Sequence, residues 1–222
     1  MRAVIFANGE LNFPVEVTAD DLLIAADGGA RHCLRLGITP HVVIGDFDSL
    51  DQADLDALER AGAEIVRHPR HKDYTDLELA LLTAKQRGVS KVLLLAALGA
   101  RWDQTLANLL LPAAFDQAAM QIRIVDGEQE ILFLHGGGVV DDEAFIEIFG
   151  QPGDTVSLIP LGTDACDITT TNLEYPLRRE SLYFGSTRGI SNVLTGHVGR
   201  VSLRSGILLI AVIHGDTKGI EP

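Results

Sequence analysis

The chain has 222 residues, 46% of them hydrophobic, and a formal net charge of −13 at pH 7. That length suits one large domain or two modest ones, and the apolar content with a positive mean hydropathy excludes a disordered chain. The acidic balance disfavours nucleic acid as a partner, since no basic stripe is present to neutralise its backbone; a phosphorylated small molecule stays open if a metal ion carries the positive charge.

From the N-terminus, Met1-Arg2-Ala3-Val4-Ile5-Phe6 gives way to Asn8-Gly9-Glu10 too soon for the apolar region of a signal peptide. Short apolar runs predict strands over residues 3–7, 22–26, 42–44, 64–66, 92–97 and 122–125. Between them, apolar residues at helical spacing predict helices over 29–36, 52–61, 75–87 and 103–119. Such alternation implies a parallel sheet covered by helices on both faces. The unbroken run Val92-Leu93-Leu94-Leu95-Ala96-Ala97 suits a central strand buried on both sides. The expectation is a Rossmann-like, parallel-sheet α/β domain over residues 1–126.

After Gly127 the texture changes to Val, Ile, Thr and Phe broken by Gly, Pro, Asp and Asn. Gly136-Gly137-Gly138, Gln151-Pro152-Gly153-Asp154, Thr195-Gly196-His197 and Arg204-Ser205-Gly206 read as turns. The clearest strands are 155–159, 181–184, 198–203 and 207–213, and the economical interpretation of residues 127–222 is an all-β sandwich. The apolar runs 92–98 and 207–213 are too short to span a bilayer, so no membrane partner is expected. Cys33 and Cys166 lie far apart, and neither they nor the seven histidines have the spacing of a disulfide framework or a zinc site. A soluble, cytoplasmic setting follows as the expectation.

The chemistry is concentrated in two acidic runs, Gly45-Asp46-Phe47-Asp48-Ser49 and Asp73-Tyr74-Thr75-Asp76. Carboxylates this crowded call for a hard cation, and Mg²⁺ is the usual answer beside a phosphate ester. Asp46, Asp48, Asp73 and Asp76 are therefore the candidate metal ligands, and one of them is a candidate acceptor of a substrate proton. Arg101, in Gly99-Ala100-Arg101-Trp102-Asp103, offers a planar grip on phosphate, and Lys72 a point charge at longer range. Each has a plainer reading: the aspartates as helix-start residues, Arg101 as a partner of Asp103, Lys72 as an exposed charge, Asn108 as a bond within its own helix, Trp102 as packing beside the loop. Recurrence of acid or glycine after three of the expected strands, near residues 27, 46 and 99, favours a site, because ligands in open α/β sheets collect at the carboxyl ends of strands.

The order Asp27-Gly28-Gly29, Gly45-Asp46-Phe47-Asp48-Ser49, Lys72-Asp73-Tyr74-Thr75-Asp76-Leu77-Glu78-Leu79-Ala80 and Gly99 to Asn108 resembles the thiamine pyrophosphokinases, and the likeness continues through Leu173-Glu174-Tyr175-Pro176-Leu177 and Gly189-Ile190-Ser191-Asn192. The resemblance implies a homodimer of a nucleotide-binding α/β domain and a β-sandwich that transfers pyrophosphate from magnesium-ATP to thiamine, releasing AMP. It implies that Asp27, Gly28 and Gly29 line a phosphate turn, that Asp103 and Asn108 help fix the nucleotide loop, and that Tyr175, Ser191 and Asn192 meet thiamine. Three positions depart from the family's usual pattern: Ala100 where a second glycine is common, Gln104 where histidine is, and Tyr175 where tryptophan often stands. Two other functions compete, a pyrophosphokinase acting on a hydroxymethyl-pterin and a non-catalytic nucleotide or metabolite sensor.

Overall fold

A computed structural model of the chain describes residues 1–99, 101–115, 119–137 and 143–215. Ala100, Gly138 and the part of the expected helix at 116–118 lie outside the described residues. Two compact units divide the chain, Met1–Gly127 and Glu128–Pro222.

Among its described residues the first unit holds six strands: β1 (Arg2–Phe6), β2 (Leu22–Ala26), β3 (Val42–Gly45), β4 (Glu64–Arg67), β5 (Lys91–Leu95) and β6 (Gln121–Asp126). They pair in parallel in the order β6-β5-β1-β2-β3-β4. Between them run α1 (Gly29–Leu36), α2 (Gln52–Arg60), α3 (Asp76–Gln86) and α4 (Trp102–Leu110). Strand parity decides the layers. Val4 and Phe6 of β1, Leu23 and Ala25 of β2 and Val43 of β3 share one buried cluster with Ala30 and Cys33 of α1 and Leu55 and Leu58 of α2. The alternate residues, Ile5, Ile24 and Ile44 among them, are equally buried and face the other way, where α3 packs against β1, β2 and β3. Strands buried on both faces explain their near-continuous apolar sequences.

The chain steps outward from β1 to β4, then returns to lay β5 on the far side of β1. That reversal sends the loops after β1 and β5 side by side, and they are zipped by Gly9 N–H donating to Ala96 O (2.7 Å) and Glu10 N–H to Leu98 O (2.7 Å). Two expectations need correction here. The strand predicted to reach Ala97 ends at Leu95, because Ala96 turns to φ +54°. The helix predicted over 103–119 is α-helical only to Leu110 and tightens into a 3₁₀ turn over Leu111–Ala114, where Pro112 lacks the N–H an α-helix requires.

The second unit is antiparallel throughout its described strands: β7 (Gln129–His135), β8 (Ala144–Phe149), β9 (Thr155–Pro160), β10 (Ala165–Thr171), β11 (Arg178–Leu182), β12 (Asn192–Val193), β13 (Val198–Leu203) and β14 (Ile207–Ile213). One sheet runs β12-β9-β14-β7 and the other β11-β10-β13-β8. Val156, Leu158, Leu208 and Ile210 of the first and Ile148, Ile168, Val201 and Leu203 of the second form one buried core between them. Two sheets closed on a shared apolar layer make a sandwich. Among the described residues, no helix is long and apolar enough to cross a membrane.

Candidate active site

Three carboxylates converge at the carboxyl ends of β2 and β3. Asp27 follows β2, Asp46 follows β3 and Asp76 opens α3, and one oxygen from each lies within 4.8 Å of the other two. Local geometry produces the meeting. Asp27 sits at φ +43° with its N–H donating to Ile44 O (2.8 Å), so β2 turns as it leaves the sheet. The Thr75 hydroxyl caps α3 by accepting from Glu78 N–H (3.2 Å), which sets Asp76 in the first turn, where a negative charge is favoured by the helix dipole. Gly45 leaves the room: a Cβ there would meet Asp27 Cβ at 3.1 Å and Asp76 Oδ1 at 3.2 Å.

Asp27 is only 6% exposed, and its Oδ1 has no hydrogen-bond partner. A buried carboxylate oxygen left unsatisfied is costly. Asp46 accepts from Asp48 N–H (3.1 Å), and Asp76 accepts from the Lys72 ammonium. Burial pushes the Asp76 carboxyl above its ordinary range; Lys72 opposes that shift, while the charges of Asp27 and Asp46 add to it. Lys72 is largely buried against Asp76, which corrects its reading as an exposed charge. An all-oxygen set with one buried, unsatisfied oxygen and negative charge in excess fits a hard divalent cation such as Mg²⁺.

The expected ligand set was Asp46, Asp48, Asp73 and Asp76. Asp46 and Asp76 are brought together, but with Asp27, which had been expected in a phosphate turn. Asp48 lies outside the triad: it accepts from the Ser49 hydroxyl (3.2 Å) and lies 3.6 Å from Arg70. The cause is Phe47, which takes φ +62° and buries its ring in the sheet–helix core, turning the backbone between the two aspartates. Asp73 is exposed ahead of the Thr75 cap and also lies outside the triad.

Around the triad, Gly28 and Gly29 allow a close approach. A Cβ on Gly29 would meet Phe6 O at 2.0 Å, and one on Gly28 would meet Asn8 Oδ1 at 2.1 Å. The exposed Asn8 therefore stands beside the Asp27 turn, a neighbour that sequence reasoning missed; a polar residue directly after a strand was the available signal. Arg101 is committed to Asp103 through two bonds (3.2 and 2.6 Å), both side chains being exposed. That pairing raises the guanidinium's pKa and lowers the carboxyl's. Asn108 donates to Ala97 O (2.8 Å), and Thr105 bonds both N–H and C=O of Gly99 (3.1 Å each). Asn108 thus fastens the loop after β5 rather than bonding within its own helix. Trp102 is 86% exposed, which corrects its reading as a packing residue.

In the sandwich, Tyr175, Pro176, Ile190, Arg188 and Asn192 are among the residues that line an open cleft of about 490 Å³. Tyr175 is 65% exposed. Ser191, at φ +60°, donates its N–H to Ser157 Oγ (3.1 Å), and Asn192 bonds the backbone of Tyr175.

The molecule is therefore a two-domain protein, a parallel α/β unit with a cation-compatible acidic centre followed by an antiparallel sandwich with an aromatic-rimmed cleft. Residues 13–124 match the model of the thiamin pyrophosphokinase catalytic domain, and residues 146–208 that of the thiamin pyrophosphokinase vitamin B1 binding domain. The chain belongs to the thiamin pyrophosphokinase family. It is 29% identical over 211 residues to a thiamine pyrophosphokinase of Bacillus subtilis (strain 168), covering 93% of this chain and 95% of the relative. It is 26% identical over 208 residues to thiamine pyrophosphokinase 1 of Oryza sativa subsp. japonica, covering 84% and 77%. The crystal structure of thiamine pyrophosphokinase from Bacillus subtilis is similar at a TM-score of 0.84 and 27% identity, covering 97% of this chain and 100% of that one.

Proposed function

We propose that the acidic triad holds Mg²⁺ with ATP and that the sandwich cleft receives thiamine. As a member of its family, the chain is a thiamine diphosphokinase, transferring pyrophosphate from ATP to thiamine. The observation that carries this is the match of both family domains, in order, to the two units of the chain. It favours thiamine over a hydroxymethyl-pterin and turnover over sensing. The outward run of strands with one reversal beside β1 supports a Rossmann-like role in nucleotide binding.

Asp27, Asp46 and Asp76 would hold the metal, with Asp48 and Asp73 at the margin, able to act through water. Bound there, the metal would neutralise polyphosphate oxygens. The chain's own part is alignment and charge. Asp27, Gly28 and Gly29 open the turn to the polyphosphate, the Lys72 ammonium at the edge of the triad suits a phosphate oxygen, and Arg101 exchanges Asp103 for phosphate. Asn108 keeps the loop after β5 in position. One carboxylate of the acidic group accepts the thiamine hydroxyl proton as attack proceeds. Tyr175 and the Ser191-Asn192 turn form the thiamine end, where an aromatic face stabilises a flat pyrimidine or a cationic thiazolium. A homodimer in a cytoplasmic setting completes the proposal.

The test is incubation with ATP, Mg²⁺ and either thiamine or a hydroxymethyl-pterin, with product mass and AMP as readouts. Thiamine diphosphate with one AMP per product is expected. Product from the pterin alone supports the rival enzyme, and nucleotide binding without AMP supports the sensor.

A further inference from the structure

Asn192 stands in the cleft, yet its side-chain amide is already engaged. Oδ1 accepts the N–H groups of Tyr175 (3.0 Å) and Val193 (2.9 Å), and Nδ2 donates to Tyr175 O (2.8 Å). Both lone-pair directions of the oxygen are used, leaving one amide N–H. The three bonds also fix which end of the amide is which.

Their placement explains their purpose. Leu173 and Leu194 form an antiparallel bridge, and Glu174 N–H donates to Val193 O (2.9 Å). One residue further, Tyr175 bonds the Asn192 side chain through both its N–H and its C=O, as it would bond a facing peptide. The side-chain amide extends the ladder past the point where backbone pairing stops. Pro176 then offers no N–H and restricts Tyr175 to an extended backbone. Asn192 itself rests on β9: Leu158 N–H donates to Gly189 O (2.8 Å), Ser191 N–H to Ser157 Oγ (3.1 Å), and Asn192 pairs with Val156. Gly189 is required for that approach, since a Cβ there would meet Leu158 O at 2.2 Å.

We infer that Asn192 is a positioning residue for thiamine that acts through Tyr175, its amide splinting the backbone that aims the phenol ring across the cleft, rather than a residue that reads the substrate itself. The inference rests on the reading that Tyr175 forms part of the thiamine end. A flexible strand end would have to order its ring on binding, and a splint removes that cost in advance.

The test is a double-mutant cycle on the full chain, using Asn192→Ala, Tyr175→Ala and the pair, with apparent KM for thiamine, KM for ATP and kcat measured for each. Asn192→Ala should raise the thiamine KM roughly tenfold while leaving the ATP KM and kcat within about twofold. The double variant should match Tyr175→Ala alone. Asn192→Asp, which keeps the acceptor but loses the donor to Tyr175 O, should fall between wild type and Asn192→Ala, and it carries the same cycle should the alanine variant fail to fold. Multiplying effects in the double variant, with Tyr175→Ala itself impaired, overturn the inference in favour of direct contact and leave Tyr175 in the site. An unimpaired Tyr175→Ala removes Tyr175 from the thiamine end and overturns the inference by that separate route.

Discussion

Asp27→Asn is the sharpest probe of the acidic centre because it removes one charge and almost no volume. Asparagine tolerates the left-handed backbone at φ +43°, so strain does not confuse the result. Unit charges within 4.8 Å repel by at least about 3.5 kcal/mol per pair at an effective dielectric of ~20, before screening. Asp27 takes part in two such pairs. Lys72 offsets part of the charge on Asp76, and solvent around the half-buried Asp46 and Asp76 screens more, leaving a net relief of about 2 kcal/mol. For a protein of this size that corresponds to a rise of about 4–8 °C in the melting midpoint without divalent cation.

Melting curves in EDTA and in saturating Mg²⁺, by circular dichroism, separate the two consequences. Wild type should gain stability with Mg²⁺, as any ligand bound only to the folded state provides. Asp27→Asn should melt higher in EDTA, show little further rise with Mg²⁺, and lose nearly all turnover. A variant that melts lower than wild type in EDTA yet keeps the full Mg²⁺ response would refute both the repulsion and the metal assignment.

Gly45→Ala should fold but lose most of the Mg²⁺ response, since its methyl crowds Asp27 and Asp76, and titration of the melting midpoint with Mg²⁺ reads this directly. Arg101→Lys should raise the ATP KM several-fold with the melting midpoint unchanged; an unchanged ATP KM would make the Asp103 pair purely structural. Asp48→Asn should cut turnover less than Asp27→Asn does, because Asp48 lies outside the triad, and the reverse ranking in AMP release would restore it as a principal ligand. Asp21 is bonded by the Arg2 guanidinium, which outweighs burial and, with Thr18, lowers its pKa to about 2. The unfolded chain therefore binds more protons between the ordinary carboxylate range and pH 2, so this share of stability is present above that range and lost as pH falls through it. Asp21→Asn should cost about 1–2 kcal/mol at pH 7 and almost nothing near pH 2, by urea unfolding.

The fold was legible where a single periodicity ruled. Leu22–Ala26, Gly29–Leu36, Val198–Leu203 and Ile207–Ile213 stand at the bounds their apolar patterns predict. Strands went unseen where pairing, not pattern, makes them. Ala165–Thr171 shifts register between Ala165 and Ile168 and between Ile168 and Thr169, which breaks the alternation a reader would follow. Arg178–Leu182 was expected to begin only at Ser181, because Arg178, Arg179 and Glu180 look like a loop; β11 is an edge strand paired on one side with β10, where charges are tolerated and discourage further pairing.

The acidic centre was legible in kind, but the structure draws together a different set of its carboxylates than chain proximity suggests, and the reason is geometric. Sequence proximity groups Asp46 with Asp48, but Phe47 at φ +62° turns the chain between them. Parallel pairing groups Asp46 instead with Asp27, nineteen positions away, because Ala26 lies beside Ile44 and each strand is followed by its own aspartate soon after leaving the sheet. Asp76 joins from α3, which packs on the same strands. Acids that end adjacent parallel strands are thus better candidates for one cation than acids that neighbour each other in the chain, since register carries the former to a common edge while a tight turn parts the latter. On our inference, backbone pairing also decides the part that Asn192 plays. The family resemblance implied a thiamine contact, and the ladder beside Tyr175 adds that both ends of its amide are already committed to the backbone.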